Sequence, residues 1–378
     1  MSNSSASVEN AGTDQIEWKQ LWSLAALYGS IVIGWIAYHR YQPKLLQQFN
    51  FIEFSLALIV VQSIILVVTP PIAGRIGDRF RFKQGQGHRI PIISSGISFA
   101  AMVFMAVAFT LLGNPGETFR WILPLLIVLW LISMSIFTSP ALSTLELFTP
   151  VDKLPRAMAI LTIVGNLIYS LEPVIVDLID YLGAPITFMV GGVVVFVSGY
   201  ALKKNSLSLF NNPTQRPRTE FRFDTQRSNY LYIFIMGLAL GLSTTLLFNY
   251  FPDRLQTTLQ TITTLEGKWW VVLILFVTAL ISIPVSNFVS RVGTYPSFWW
   301  SFLINSIAIV LLFVTGSAWL VLLLVLIYTI SFTILSISSL PLAIEKANYF
   351  EKVFCVGIFF SGVELPDGIV EIFQASGY

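Results

Sequence analysis

Apolar residues run along this chain in eleven blocks of roughly 20, with short polar joins between them. Each block is long enough to cross a hydrocarbon core of about 30 Å as a helix. The blocks fall at residues 21–42, 54–74, 90–112, 121–142, 156–176, 184–202, 230–250, 269–289, 296–315, 318–340 and 353–374. A stretch such as Trp319 to Ile330 is apolar almost throughout, whereas a membrane β-strand alternates apolar and polar residues over about ten positions. The pattern therefore predicts an all-α polytopic membrane protein with 11 transmembrane helices.

Composition agrees: of 378 residues 55% are hydrophobic and only 11% charged, against about 25% charged in an average soluble domain. A water-soluble fold is excluded. The net charge of +2 carries no basic tract, so no nucleic-acid partner is expected. Cys355 is the single cysteine, which excludes an intramolecular disulfide, a Cys-ligated zinc or iron–sulfur site and a CxxC pair. With His39 and His88 as the only histidines, no metal site is expected. No nucleotide or cofactor motif and no catalytic constellation is present, so no cofactor and no enzyme activity are expected. Residues 1–20 are polar and lack the basic start and cleavage site of a signal peptide, so the first apolar block is expected to stay.

The charges also orient the chain. If the N-terminus is cytoplasmic, 17 of the 22 Lys and Arg residues fall in inside joins. Only Arg40, Lys44, Arg120, Arg254 and Lys268 fall outside, and that bias predicts an N-in protein.

The two halves resemble each other. After the fourth span comes LELFTPVDKLPRAMAILTIVGNLIYSLEPVIVDLI and after the tenth LPLAIEKANYFEKVFCVGIFFSGVELPDGIVEIF, so that Glu172-Pro173 answers to Glu364-Leu365-Pro366. Pro71 to Asp78 in span two likewise parallels Pro284 to Arg291 in span eight, and Gln42-Pro43 in span one parallels Phe251-Pro252 after span seven. Three matches in one order imply a duplicated six-helix unit with both copies in the same orientation. The expected organisation is a cytoplasmic tail over 1–20, a first bundle over 21–202, a cytoplasmic linker over 203–229 and a second bundle over 230–378. Two sixes lead one to expect twelve helices, of which five of the second bundle are visible; either the last is absent from this chain, by biology or by truncation, or the protein has eleven spans.

The join between spans two and three reads Gly74-Arg-Ile-Gly-Asp78-Arg79-Phe-Arg81-Phe-Lys83-Gln-Gly85-Gln-Gly-His88-Arg89-Ile-Pro91. Small residues allow close helix approach there, Asp78 can accept from a neighbouring helix N-terminus, and the basic residues hold the turn in the cytoplasm. This loop resembles the signature loop of the major facilitator superfamily, most closely in its sucrose transporter and glycoside-pentoside-hexuronide branch. Gly34-Trp35 before Pro43, and Pro140 to Glu146 followed by Arg156 and Gly165-Asn166, resemble the same branch. The resemblance implies a two-bundle fold and alternating access. It also implies a cell-membrane monomer (plasma or inner membrane) that moves a small molecule, a sugar or glycoside, with a proton or another cation. A carrier for a non-sugar solute such as a pterin would carry the same signals. So would a transporter-like assembly or interaction protein without transport activity, which would tolerate replacement of its intramembrane polar residues.

Those residues are few, and a charge inside a span is costly unless it is paired or faces water. Glu172 and Glu364 are candidate proton or cation sites on opposite walls of one cleft; their other reading is acceptance of backbone donors freed by the adjacent prolines. His39, with Arg40 beside it, either binds cargo hydroxyls or sits at the interface. Gln62, Asn166, Asn249, Asn287 and Asn305 are neutral polar residues inside spans, open to cargo or to interhelical hydrogen bonds. Asp78, Arg79, Glu146 and Arg156 are expected to form a charged gate at the cytoplasmic surface. Trp35 and Trp130 are the tryptophans deep enough to stack on a sugar ring.

Overall fold

The computed structural model describes residues 15–48, 55–83, 90–113, 121–211 and 227–376. Most of the N-terminal tail, residues 84–89 of the charged loop (with His88 and Arg89) and residues 212–226 of the linker lie outside the described residues.

Fourteen helices make up the described chain: α1 (Trp18–Gln48), α2 (Ser55–Lys83), α3 (Ile90–Gly113), α4 (Ile122–Leu142), α5 (Leu145–Phe148), α6 (Leu154–Ser170), α7 (Glu172–Leu182), α8 (Ala184–Asn211), α9 (Tyr230–Asn249), α10 (Phe251–Leu259), α11 (Gly267–Val292), α12 (Thr294–Val314), α13 (Ala318–Lys346) and α14 (Lys352–Ala375). Ten are long and apolar enough to cross a membrane, and α6 with α7 makes an eleventh span bent by 59°. The eleven blocks of the sequence are these spans. Several helices run past the ends of their apolar blocks, because a helix satisfies its own backbone and need not stop at the membrane surface.

The break in the fifth span has a local cause. Pro173 lacks an N–H, and its ring crowds the carbonyl four residues back. The helix closes at Leu171, whose N–H reaches the carbonyls of Leu167 and Ile168 at 3.1 Å each, and restarts at Glu172. Pro366 does not break α14. The two Glu-Pro segments that the sequence aligns thus differ in shape.

Within the first half, α3 packs against α4 and α8, and α2 against α4; in the second, α12 and α11 each pack against α13. The halves meet along two seams, α2 against α14 and α6 against α11. Span two thus pairs with span eleven, and span five with span eight. That exchange is what a two-fold axis between two like bundles requires.

Burial of apolar surface does not drive helices together in lipid, so close packing must. Small residues supply it at α14. A Cβ on Gly357 would lie 2.3 Å from the Pro70 carbonyl of α2, and one on Gly237 of α9 would lie 1.9 Å from the Phe359 carbonyl. With α2 and α9 gripping two of its faces, α14 turns a third face toward α1 and α6.

Candidate functional site

That third face carries Glu364, Asp367 and Glu371, at spacings of three and four residues that place all three on one stripe. The stripe rises about 10 Å along the helix axis. All three carboxylates are half-buried, and they lie within electrostatic reach of one another.

Helix α1 forms the opposite wall. Tyr38 is buried and stacks on Trp130 of α4, with ring centroids 4.8 Å apart. Its neighbour His39 is exposed and stands one helical turn beyond Trp35, its ring 6.0 Å from the Trp35 ring. Asp367 lies within electrostatic reach of His39. Asn249, at the end of α9, donates to Asp367 at 3.1 Å and to its own helix through the Thr245 carbonyl.

A hydrogen-bond relay crosses the seam from α1 to α14. The Tyr38 hydroxyl donates to Gln62 Oε1 at 2.6 Å, and Gln42 donates to the same oxygen at 2.8 Å. Gln62 Nε2 in turn donates to Glu371 Oε2 at 3.1 Å.

Two tyrosines close the lower end of the stripe. Tyr28 of α1 and Tyr169 of α6 both feel Glu364 electrostatically, and Tyr169 also feels Glu172 at the start of α7. Tyr169 packs on Phe248 of α9, with ring centroids 5.3 Å apart, which joins the two halves here. Glu172 and Glu364 thus both lie within electrostatic reach of Tyr169. Asn166, one turn before Ser170, is half-buried on α6.

Two cations of α1 are engaged with the fifth span. Arg40 and Lys44 both pair with Asp180 at the end of α7, Lys44 at 3.0 Å. Arg40 is thus tied to the fifth span and is not offered to a bound molecule beside His39. Among the described residues, no group of three His, Cys, Asp or Glu side chains converges closely enough to hold a metal ion.

At the face of the bundle that carries the N-terminus, Asp78 is buried and accepts from the backbone N–H of Val353 at 3.2 Å and of Phe354 at 2.9 Å. A carboxylate there satisfies donors that the first turn of a helix cannot satisfy itself, and meets the positive end of the α14 dipole. Gly74 makes room: a Cβ on it would lie 2.4 Å from the Val353 carbonyl. Glu146 forms an ion pair with Lys352, the first residue of α14. Ala159, Val289 and Ile337, none of them exposed, fill the second seam on this side. These contacts tie the two halves together at the N-terminal face.

Two of the four residues expected at this gate sit differently. Arg156 lies over the Trp18 ring at 5.7 Å, and Arg79 is exposed. Asp78 and Glu146 reach across to α14 instead of to them, because both carboxylates face the donors and the lysine at that helix's start.

Other intramembrane polar residues separate cleanly. Asn305 accepts from Ser243 at 2.9 Å and donates to Ser331 at 3.2 Å in a buried network within the second half, which is interhelical bonding. Asn287 is exposed. Sequence reasoning named Glu364, Gln62, Asn249 and His39 but missed Asp367, Glu371, Tyr38 and Gln42. The spacing of 364, 367 and 371 along one helix face was the available signal.

The family model described as Major Facilitator Superfamily matches residues 24–363. Comparison with curated proteins finds no match. Among solved structures, the human organic anion transporter MFSD10 (TETRAN) is similar at a TM-score of 0.67 and 14% identity, over 96% of this chain and 94% of that one. A bacterial homologue of the iron transporter ferroportin, in an outward-facing state, is similar at 0.66 and 14% identity over 96% and 92%. The same homologue soaked with iron gives 0.63 and 15% over the same shares. At these identities the similarity is one of fold.

Proposed function

The chain belongs to the Major Facilitator Superfamily, and from that premise we propose that it is a secondary active transporter of a sugar or glycoside, coupled to protons or another cation, working by alternating access. The observation that carries this reading is the stripe of Glu364, Asp367 and Glu371 facing His39, Gln62 and two tyrosines at the junction of the halves. Carboxylates and amides accept and donate to sugar hydroxyls, and Trp35 offers a half-buried ring beside them. An anion would meet like charge on this wall, so the cargo named for MFSD10 is a poor match.

Roles follow from position. Glu364, between Tyr28 and Tyr169, takes and releases the coupling proton or cation. Asp367, with Asn249 and His39, holds cargo. Asp78 and Glu146, bound to the start of α14, close the N-terminal face. The lysine and arginine bias makes that face cytoplasmic in a cell membrane, and the protein works as a monomer.

The test uses proteoliposomes loaded with a pH-sensitive dye. External sucrose, maltose, raffinose or phenyl glucoside should acidify the lumen in the unmodified protein, and Glu364→Gln should abolish that signal while leaving downhill sugar exchange. Entry of a sugar with no proton movement at any pH, and no dependence on a sodium or potassium gradient, would refute the coupling, and no movement of any of the four would refute the cargo class.

A further inference from the structure

The α2–α14 seam is tied at both ends. At the N-terminal face Asp78 holds the first turn of α14. About 24 Å along α2, at the opposite face, Gln62 and Ser63 hold its last turns: Gln62 donates to Glu371, and Ser63 donates to the Gly368 carbonyl at 3.3 Å. Alternating access requires that each face open in turn, so the far tie must break once per cycle.

The chemistry of that far tie is directional. Gln62 is 1% exposed, and its carbonyl oxygen already accepts from both Tyr38 and Gln42. The amide group can then only point its N–H toward α14. The acceptor it meets is a carboxyl oxygen of Glu371, which holds the Gln62 amide to α14. Nothing charged on α1, α2 or α9 is bonded to Glu371 among the described residues; its other electrostatic neighbours are Tyr38, Asp367 and Glu364.

We propose that Glu371 and Gln62 form the latch that closes the far face of the carrier, with Tyr38 and Gln42 as positioning residues that aim the Gln62 amide. Glu371 is thereby separated from Glu364 and Asp367: it sits on the same stripe but gates instead of binding. This inference needs the halves to move against each other, and is independent of what the cargo is.

The experiment measures the latch directly, without cargo. Spin labels go on cysteines at Leu56 and Phe373, exposed positions at the far ends of α2 and α14, in a Cys355→Ala background. A control pair sits at Ile76 and Phe350 on the N-terminal face, both exposed. Double electron–electron resonance should give one short distance for the far pair in the parent protein. Glu371→Leu should raise the ratio of the long to the short population about tenfold, and Glu371→Gln, which keeps an acceptor without the charge, should raise it less. The control pair should stay unchanged in both. Should Glu371→Leu fail to fold, Glu371→Gln and Gln62→Glu, which sets two carboxylates face to face, carry the test. An unaltered far-face distribution in these variants would overturn the latch, and an equal change at both faces would reassign Glu371 to general packing.

Discussion

Asp78 shows how one side chain can tie two helices together. It is buried, yet both of its oxygens are filled by backbone donors of another helix. Asp78→Ala would leave those two donors unpaired, at about 1–3 kcal/mol each. A cysteine at Val353, buried in the parent, should then react with a membrane-impermeant maleimide at least about tenfold faster from the N-terminal face. An unchanged rate would mean that the gate does not depend on this carboxylate. The signature loop made Asp78 legible in the sequence, because its surroundings of small residues and arginines recur as a unit. The place of Glu371 on the α14 stripe could be read from its spacing, but its partner could not, since Gln62 lies 309 positions away. Glu172 separates from Glu364 at this scale as well. It opens α7 at the break, where a helix start favours a carboxylate, so Glu172→Gln should leave proton coupling intact in the dye assay where Glu364→Gln removes it.

Among the elements, α14 is the one on which everything converges. Its three faces serve α2, α9 and the central cleft, and the first two leave no room for side chains. Gly237→Leu would drive atoms into the Phe359 carbonyl and Gly357→Leu into that of Pro70, so each should lower the melting temperature of the detergent-purified protein or prevent its recovery. A melting temperature within a degree or two of the parent would show the helices to be further apart than described. The eleven spans were readable from apolar blocks alone, since length and hydrophobicity are local properties. The 59° bend was not, because Glu172-Pro173 and Glu364-Leu365-Pro366 look alike in sequence while only the first interrupts its helix. Pro173→Ala removes the crowding at the break and should lengthen the distance between spin labels at Lys153 and Tyr181. No change would place the cause of the bend in tertiary contacts instead of the proline.

For the whole molecule, spans two and eleven pair, as do five and eight, and these two seams join the halves. The order of three weak sequence matches agrees with that pairing. The charge imbalance of the cleft was not legible in the sequence, since it arises only when α14 is set against α1 and when Asp180 draws Arg40 and Lys44 away. Locking the seam should stop the cycle. Gly77 and Val353 approach within 3.7 Å between the built Cβ and the Val353 Cβ, a separation a disulfide can span. Gly77→Cys with Val353→Cys, in a Cys355→Ala background, should lose sugar-driven lumen acidification on oxidation and regain it on reduction. The most direct test of a carrier that holds its cargo at Asp367 of α14 is the thermal stability of the purified protein. It would be measured with sucrose, maltose, raffinose and phenyl glucoside, and with para-aminohippurate and ferrous iron as contrasts. A ligand present at about 100 times its dissociation constant stabilises the folded state by about 2.7 kcal/mol. The expected result is a saturable rise with one of the sugars that Asp367→Asn abolishes; a rise with the organic anion or the metal, and none with any sugar, would contradict it.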